Sequence, residues 1–316
     1  MFTISTLLII FGLALFEAIN SIDNAVINAE VLSKVGARAR RWFLTWGFFF
    51  AVFVVRGVLP FLIVWLASPL SLWGALTATF SGDEVALKAI ESSAPILLIG
   101  AGVFLLFIFL HWLFLEPKTF GLRGERFFLK NGVWFFTTAS VFLTAIVWQA
   151  IKIDPMIAFG AVVGSSAFFL VNGFKDYAEK AEIRMKEEQG DARSDFSKIV
   201  YLEMIDTAFS VDGVLGAFAF TLSIPLILIG NGIGAMIVRQ MTVSNIDRIK
   251  KYVYLKNGAM YSILGLSLVM LAHAFRVHVP EYVSPLLTFA IIGYFFYRSR
   301  QMIAQEKAAE TAALPS

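Results

Sequence analysis

The chain is 316 residues long and 58% hydrophobic, with a mean hydropathy of +0.76, whereas soluble globular proteins are about 45 to 50% apolar. Only 16% of its residues are charged, which excludes a large soluble domain, and the absence of cysteine excludes disulfides and zinc–thiolate sites. The net charge of +3 does not support nucleic-acid binding, because basic residues in so apolar a chain usually mark cytoplasmic loops. We therefore expect an all-α polytopic membrane protein that contacts the lipid bilayer and carries no covalent cofactor.

Nine apolar segments follow one another, and they are candidates to cross a hydrocarbon core of about 30 Å as helices. The first carries acids and amides where a signal peptide needs an unbroken apolar stretch, so we expect it to be retained. The seventh is short and is interrupted by Asn231 and Gly232, so it could be a tilted, broken or re-entrant helix. The sequence does not decide whether it crosses the membrane fully. The segments span residues 4–32, 42–67, 94–115, 132–151, 155–174, 199–222, 224–238, 259–275 and 282–297.

Lysine and arginine accumulate in alternate connections between these segments. Of the 26 basic residues, 22 fall on the side that holds the C-terminus, which places the N-terminus outside and the C-terminus inside. Residues 1–302 are expected to form a single transmembrane domain, with a charged cytoplasmic connection at 175–198 and a polar tail at 303–316. The sequence assigns no oligomeric state.

Five polar residues of the first segment share one face of a helix. Their spacings of 3, 1, 3 and 4 give a polar stripe across the membrane. Asp23 follows Glu17 by six residues, about 240° around a regular helix, so either the helix unwinds there or Asp23 serves another neighbour. The stripe consists of Glu17, Asn20, Ser21, Asn24 and Asn28.

The sixth segment repeats the acidic pattern of the first at the same offsets. The two motifs are Glu17-x-x-x-Ser21-Ile22-Asp23-Asn24 and Asp206-x-x-x-Ser210-Val211-Asp212-Gly213, and Glu203 adds a fifth acid. The first and sixth of a series of alternating crossings run in opposite directions, so the pattern predicts an inverted repeat with halves at about 1–174 and 199–302. Such repeats place ion sites near the membrane midplane.

Five ionised acids inside a membrane would cost roughly 12 to 18 kcal/mol if they were unpaired. Arg56 is the one clear cation within a segment, and it is either a counter-ion that holds the empty site together or a structural partner of a single acid. Carboxylate and amide oxygens are hard ligands that suit Mg²⁺, Ca²⁺ or Mn²⁺. Ser21, Asn28, Thr207 and Ser210 are equally explained by hydrogen bonds between helices.

Further features extend the pattern over most of the chain: Trp46-Gly47 before Arg56, Asn231 eight residues before Arg239, and Tyr254-Leu255-Lys256-Asn257-Gly258. With the phrases 16–26 and 206–212, they resemble the signatures of the TerC family of bacterial membrane proteins. The second motif continues Asp212-Gly213-Val214-Leu215 where typical members have Asp-Ser-Ile-Pro, and the eighth segment lacks the usual lysine. The resemblance therefore indicates a divergent branch.

The resemblance implies a multi-pass protein of the bacterial inner membrane, associated with tellurium resistance and related to the LysE exporter superfamily. Some TerC members are linked to manganese export, so it favours efflux of Mn²⁺, with Ca²⁺ or Mg²⁺ as alternatives. Because burial favours the protonated form of an acid, metal loading is expected to displace protons, as in proton antiport. The expected metal ligands are Glu17, Asn20, Asp23, Asn24, Glu203, Asp206, Asp212 and Asn231, with Arg56 balancing their charge.

Two other functions are compatible with these residues. A membrane partner protein of a tellurium- or metal-stress resistance complex would bind metal without transporting it. An intramembrane aspartyl protease would use Asp23 and Asp212, but Ser210-Val211-Asp212-Gly213 lacks the Gly-x-Gly-Asp arrangement of such enzymes. We therefore do not expect an enzyme.

Overall fold

A computed structural model describes residues 3–33, 35–47, 49–75, 84–118, 121–187, 195–244 and 251–313. Within these residues the protein is all-helical and contains no strand. The helices are α1 (Ile4–Asn20), α2 (Ile22–Ser33), α3 (Ala37–Trp42), α4 (Leu59–Ala67), α5 (Glu84–Leu115), α6 (Arg123–Lys130), α7 (Phe135–Ile151), α8 (Pro155–Glu187), α9 (Asp195–Ala217), α10 (Ile224–Ser244), α11 (Leu255–Ala274) and α12 (Val283–Ala313). Two π-helical segments, π1 (Phe43–Gly47) and π2 (Phe50–Val58), and a 3₁₀ turn (Gly132–Trp134) complete the described elements.

Six helical stretches among the described residues are long and apolar enough to cross a membrane. Neither segment with an acidic motif is among these six stretches. The first predicted segment is divided between α1 and α2, and the sixth forms α9. The membrane class is therefore confirmed, whereas nine crossings and the orientation stay predictions. The six stretches are Ala37–Leu66, Lys88–Leu115, Gly132–Ile151, Pro155–Tyr177, Ile224–Thr242 and Leu255–Ala274.

The seventh predicted segment, with its interruption at Asn231 and Gly232, is one continuous helix of 21 residues, α10. It packs lengthwise on α1, where Gly234 lies against Glu17 and Ala14. These contacts with α1 stabilise α10 as a helix, and the short apolar run in the sequence does not reveal them. The segment is therefore an unbroken helix that is long enough to cross a membrane, and whether it crosses fully stays a prediction.

The hydrophobic core is centred on α5, which contacts α8 on one side and α11 on the other. Phe104 and Phe107 meet Phe168 of α8 edge to face, at centroid distances of 6.2 and 5.5 Å. On the other side, the Ser267 hydroxyl of α11 donates to the Gly102 carbonyl over 2.8 Å. The apolar helix α5 is thus packed between α8 and α11. The polar motifs lie on other helices, α1, α2 and α9.

Small residues set the distance between α5 and α8. Gly160 and Gly164, one turn apart on α8, face Gly100, and a Cβ at Gly164 would lie 2.7 Å from the Cα of Gly100. In a membrane, helices gain most from close contact of this kind, because burial among lipid tails gives little hydrophobic drive. The glycines therefore determine how closely the two helices approach.

We predict that Gly164→Ala destabilises the protein by about 1–3 kcal/mol, because the added methyl must push α5 and α8 apart. Gly173→Ala is the matched control, since Gly173 lies on the same helix with no atom within 4 Å of an added Cβ. Thermal unfolding of both variants in one detergent measures the difference. Equal unfolding midpoints for the two variants would contradict the proposed contact.

Candidate ion site

The polar stripe of the first segment is divided by an interruption of the helix at Ser21. Residue Ser21 lies between α1 and α2 with φ −91° and ψ 5°, and its hydroxyl donates to Glu17 Oε1 over 2.9 Å. The sequence allowed unwinding at Asp23, and the interruption lies two residues earlier. The side chain of Asp23, a predicted ligand, is outside the described part of the structure.

Glu17 is fully buried and is held by Arg56 of π2. The Nε and Nη2 atoms of Arg56 donate to Glu17 Oε1 over 3.0 and 2.6 Å. The Nη1 atom of the same guanidinium lies 3.8 Å from Asp206 Oδ2, so one cation lies between the first acids of both motifs. The guanidinium thus hydrogen-bonds one acid and approaches a second, and its role as counter-ion or structural partner stays a prediction.

The two motif helices run antiparallel and meet directly. The Asn24 amide donates to Asp206 Oδ1, and further along α9 a Cβ at Gly213 would lie 2.5 Å from Glu17 Oε2. Asn20 faces the same place, with its amide nitrogen 3.9 Å from that position. Residue numbers thus rise along α1 and α2 as they fall along α9, which is the relative direction expected for an inverted repeat.

A small, partly open cavity of about 50 Å³ lies beside these contacts. One buried water needs roughly 10–15 Å³, so the cavity has room for a small ion or a few waters. Three oxygens of residues that line it, Glu203 Oε1, Asn24 Oδ1 and Asn28 Oδ1, have no hydrogen-bond partner. Its walls also include Ser21, Phe43, Leu44, Gly47, Ala51, Arg56, Asp206, Ala235, Val238, Arg239 and Thr242.

Two other predicted ligands lie away from this cavity. Asp212 is buried and pairs with Lys175 of α8, so it points to a different helix from Asp206. Asn231 is fully buried and neither of its amide atoms has a partner, but it does not line the cavity. The predicted set of ligands is therefore only partly brought together, around Asp206, Asn24 and Glu203.

Sequence reasoning missed the roles of Lys175 and Arg239. Lys175 directly follows the fifth apolar segment and was assigned to the cytoplasmic connection, but α8 continues through it to Glu187. Arg239 lines the cavity and donates to the Phe43 carbonyl; its spacing from Asn231 was the only signal in the sequence. Both were counted as loop charges because each lies at the end of an apolar run.

The described residues contain no group of three His, Asp or Glu side chains placed to hold a metal ion. The arrangement instead has each described motif acid beside a cation or an amide donor. The histidines in the helices have packing partners: His111 meets Phe135 at a ring distance of 5.5 Å, and His273 Nε2 lies 2.8 Å from the Val279 carbonyl oxygen. A cation in the cavity would therefore depend on carboxylate and amide oxygens.

We predict that Arg56→Met destabilises the protein by about 3–5 kcal/mol, because it leaves the Glu17 carboxylate buried without its cation. Adding Glu17→Gln to this variant should recover much of the loss, since the uncompensated charge is then removed. Thermal unfolding of the single and double variants in detergent tests both expectations. A double variant less stable than Arg56→Met would argue against a stabilising ion pair.

One curated relative is the "Uncharacterized membrane protein YceF" of Bacillus subtilis (strain 168), which is 28% identical over 117 residues. The match covers 36% of this chain and 46% of the relative, so the alignment spans about half the relative's length. No solved structure matches the chain. A family model described as "Protein of unknown function (DUF475)" matches residues 22–306, most of the sequence, and the chain therefore belongs to the DUF475 family.

Proposed function

We propose that this membrane protein exports a hard divalent cation, with Mn²⁺ favoured, from the cytoplasm through the cavity beside Asp206. The observation that carries the proposal is the contact of the two acidic motifs across an antiparallel helix pair, next to a small cavity lined by residues whose oxygens lack hydrogen-bond partners. Ionisable residues within a membrane usually mark an ion or substrate pathway. The resemblance to the TerC family supports the same function.

The charges around the cavity favour a cation. Three acids, Glu17, Glu203 and Asp206, lie near two arginines, Arg56 and Arg239, so the ionised cluster carries one excess negative charge. The arginines satisfy part of the cluster without closing the cavity. A bound cation would offset the remaining charge.

Distances within the cluster suggest which acid takes the ion. Arg56 holds Glu17 at 2.6 Å but lies 3.8 Å from Asp206, beyond hydrogen-bond range. Asp206 can therefore turn to an entering cation while Arg56 stays on Glu17. In this mechanism Asp206 and Glu203 supply charged oxygens, and Asn24 and Asn28 supply neutral ones.

The donor set limits the ion. Oxygen ligands without thiolate or imidazole suit Mn²⁺, Mg²⁺ and Ca²⁺ better than Cu²⁺ or Zn²⁺. Mg²⁺ gives up its hydration water reluctantly and Ca²⁺ takes six to eight oxygens, which is more than these four residues offer readily. A site that combines a few protein oxygens with retained waters suits Mn²⁺ or Mg²⁺, and the resemblance to the TerC family is what favours Mn²⁺.

Loading from the cytoplasm is supported by where the cavity lies along the helices. From Arg56 and Asp206 it extends towards Asn28, Phe43 and Thr242, the ends of their segments next to the predicted cytoplasmic connections. Alternating movement of the two repeat halves would then open the site to the other side of the membrane. In a bacterium this membrane would be the inner one.

Two rival functions lead to different expectations. A partner protein of a resistance complex would bind metal in this cavity but would not move it alone. An aspartyl protease needs two facing aspartates that share a proton, and Asp212 is instead paired with Lys175. We therefore propose a transporter and not an enzyme.

In cells that express the protein, we expect manganese content to fall with the wild type and with Asp154→Asn, but not with Asp206→Asn. Asp154 caps α8 outside the cluster, where its Oδ1 accepts from the Met156 amide, and asparagine caps helices equally well. Mn, Mg, Ca, Zn, Fe and Co are measured together at matched membrane expression. A fall in the content of another hard metal would identify that metal as the exported ion. Unchanged metal contents would contradict export.

In liposomes that hold only this protein, we expect Mn²⁺ uptake to be faster when the lumen is acidic, with the lumen becoming more alkaline as uptake proceeds. Asp206→Asn should raise the Mn²⁺ concentration for half-maximal uptake at least about tenfold, because even outer-shell changes weaken metal binding that much. Uptake that is independent of the pH gradient would exclude proton antiport. Binding without any uptake would favour the partner-protein function.

A further inference from the structure

A second cavity, much larger than the first, lies on the other side of Glu203. We call it the aromatic groove; π1, π2, α8 and α9 form its walls, and its aromatic lining includes Trp42, Trp46, Phe49, Phe50, Tyr177 and Tyr201. Its volume is about 1110 Å³, slightly above the roughly 300–1,000 Å³ of small-molecule sites. The walls from π1, π2 and α8 belong to stretches that are long and apolar enough to cross a membrane.

Among the described residues that line the aromatic groove, Glu203 alone is charged. Its Oε1 atom is buried and has no hydrogen-bond partner. The carboxylate lies against Gly47 of π1, where an added Cβ would overlap Oε1. A carboxylate oxygen without a hydrogen-bond partner is therefore held beside a wall of aromatic rings.

These two observations point to one kind of ligand. A lipid tail would fill the groove but leave the carboxylate unsatisfied, which is costly in an apolar environment. An anion would be repelled by Glu203, and a hydrated metal ion would gain nothing from the apolar walls. A cation with an apolar body would satisfy both features, and aromatic faces attract such cations further.

We propose that the aromatic groove binds lipophilic organic cations, quaternary ammonium or phosphonium ions with aromatic or alkyl substituents, whose charge is paired with Glu203. This binding does not require metal transport. Because Glu203 also lines the polar cavity, an organic cation in the groove competes with a metal ion for the same carboxylate. Such ions would inhibit the transporter or be carried by it.

The test measures equilibrium binding of radiolabelled tetraphenylphosphonium to the purified protein in lipid nanodiscs, with a chelator present to remove metals. We expect saturable binding at one ion per chain, weakened about tenfold or more by Glu203→Gln, which corresponds to about 1.4 kcal/mol. Glu91→Gln, in a different cavity near His273 and Glu281, is the matched carboxylate control and should bind as the wild type does.

A second pair of variants tests the contribution of the groove to binding while Glu203 is unchanged. Val54→Trp fills the groove from π2, whereas Phe53→Trp changes the adjacent residue, which is exposed but does not line the groove. We expect Val54→Trp to abolish binding and Phe53→Trp to retain it. Folding of each variant is verified by its thermal unfolding midpoint.

Two outcomes would overturn the proposal. Non-saturable uptake equal to that of empty nanodiscs would mean that the groove holds lipid only. Saturable binding that is unchanged by both Glu203→Gln and Val54→Trp would place the cation elsewhere. Because metal is absent from these measurements, either failure is independent of the outcome of the manganese experiments.

Discussion

The buried ion pair between Arg56 and Glu17 holds the polar region of this protein together. Both side chains are almost completely enclosed, with 4% and 0% of their surface exposed. An unpaired charge at the centre of a membrane helix costs about 2.5 to 3.5 kcal/mol, so α1 and π2 gain by staying in contact. Because the same guanidinium approaches Asp206, α9 is drawn to the pair as well, and the cavity lies beside this contact, with further walls from α2, π1 and α10.

The acids of the second motif serve two separate places because of helix geometry. Asp206 and Asp212 are six residues apart, about 240° around a helix, so they cannot face the same neighbour. Asp206 meets Asn24 and the cavity, whereas Asp212 meets Lys175 on α8. Glu17, Asp206 and Asp212 thus each have a positive or amide partner from another element, and the helix packing itself distributes the charges. Three residues that line the cavity beside Asp206 have an oxygen without a hydrogen-bond partner, whereas Asp212 has one such oxygen and does not line this cavity, so the cavity is the better candidate for a mobile ion.

Glu203 connects the two proposals for ligand binding. Its carboxylate lies between a small polar cavity and a large apolar groove, and Gly47 leaves the space it occupies. The π-helical backbone of the second segment forms part of both walls. Local π-helical turns often occur at functional sites, because the extra residue in the turn changes the direction of neighbouring side chains. Here π2 carries Arg56 towards the acids and Val54 towards the groove.

Several conclusions follow from the sequence by itself. Hydropathy established the membrane class, and the matching offsets of Glu17 and Asp206 indicated two related helices that run in opposite directions, as their contacts now show. The isolated charge of Arg56 within an apolar run predicted a buried partner, because a membrane offers no water to solvate it. Local pattern was sufficient for these features, since periodicity and hydropathy act within single segments.

Only the tertiary structure decided which of these polar groups meet. It separated Asp212 from Asp206, brought Arg239 to the cavity wall, and extended α8 through Lys175, a residue whose position in sequence indicates a loop. It also set the π-helical turns of the second segment and the continuity of α10 across Asn231 and Gly232. Each depends on contacts between helices distant in sequence, and the spacing of residues along one helix does not specify which neighbour it will face.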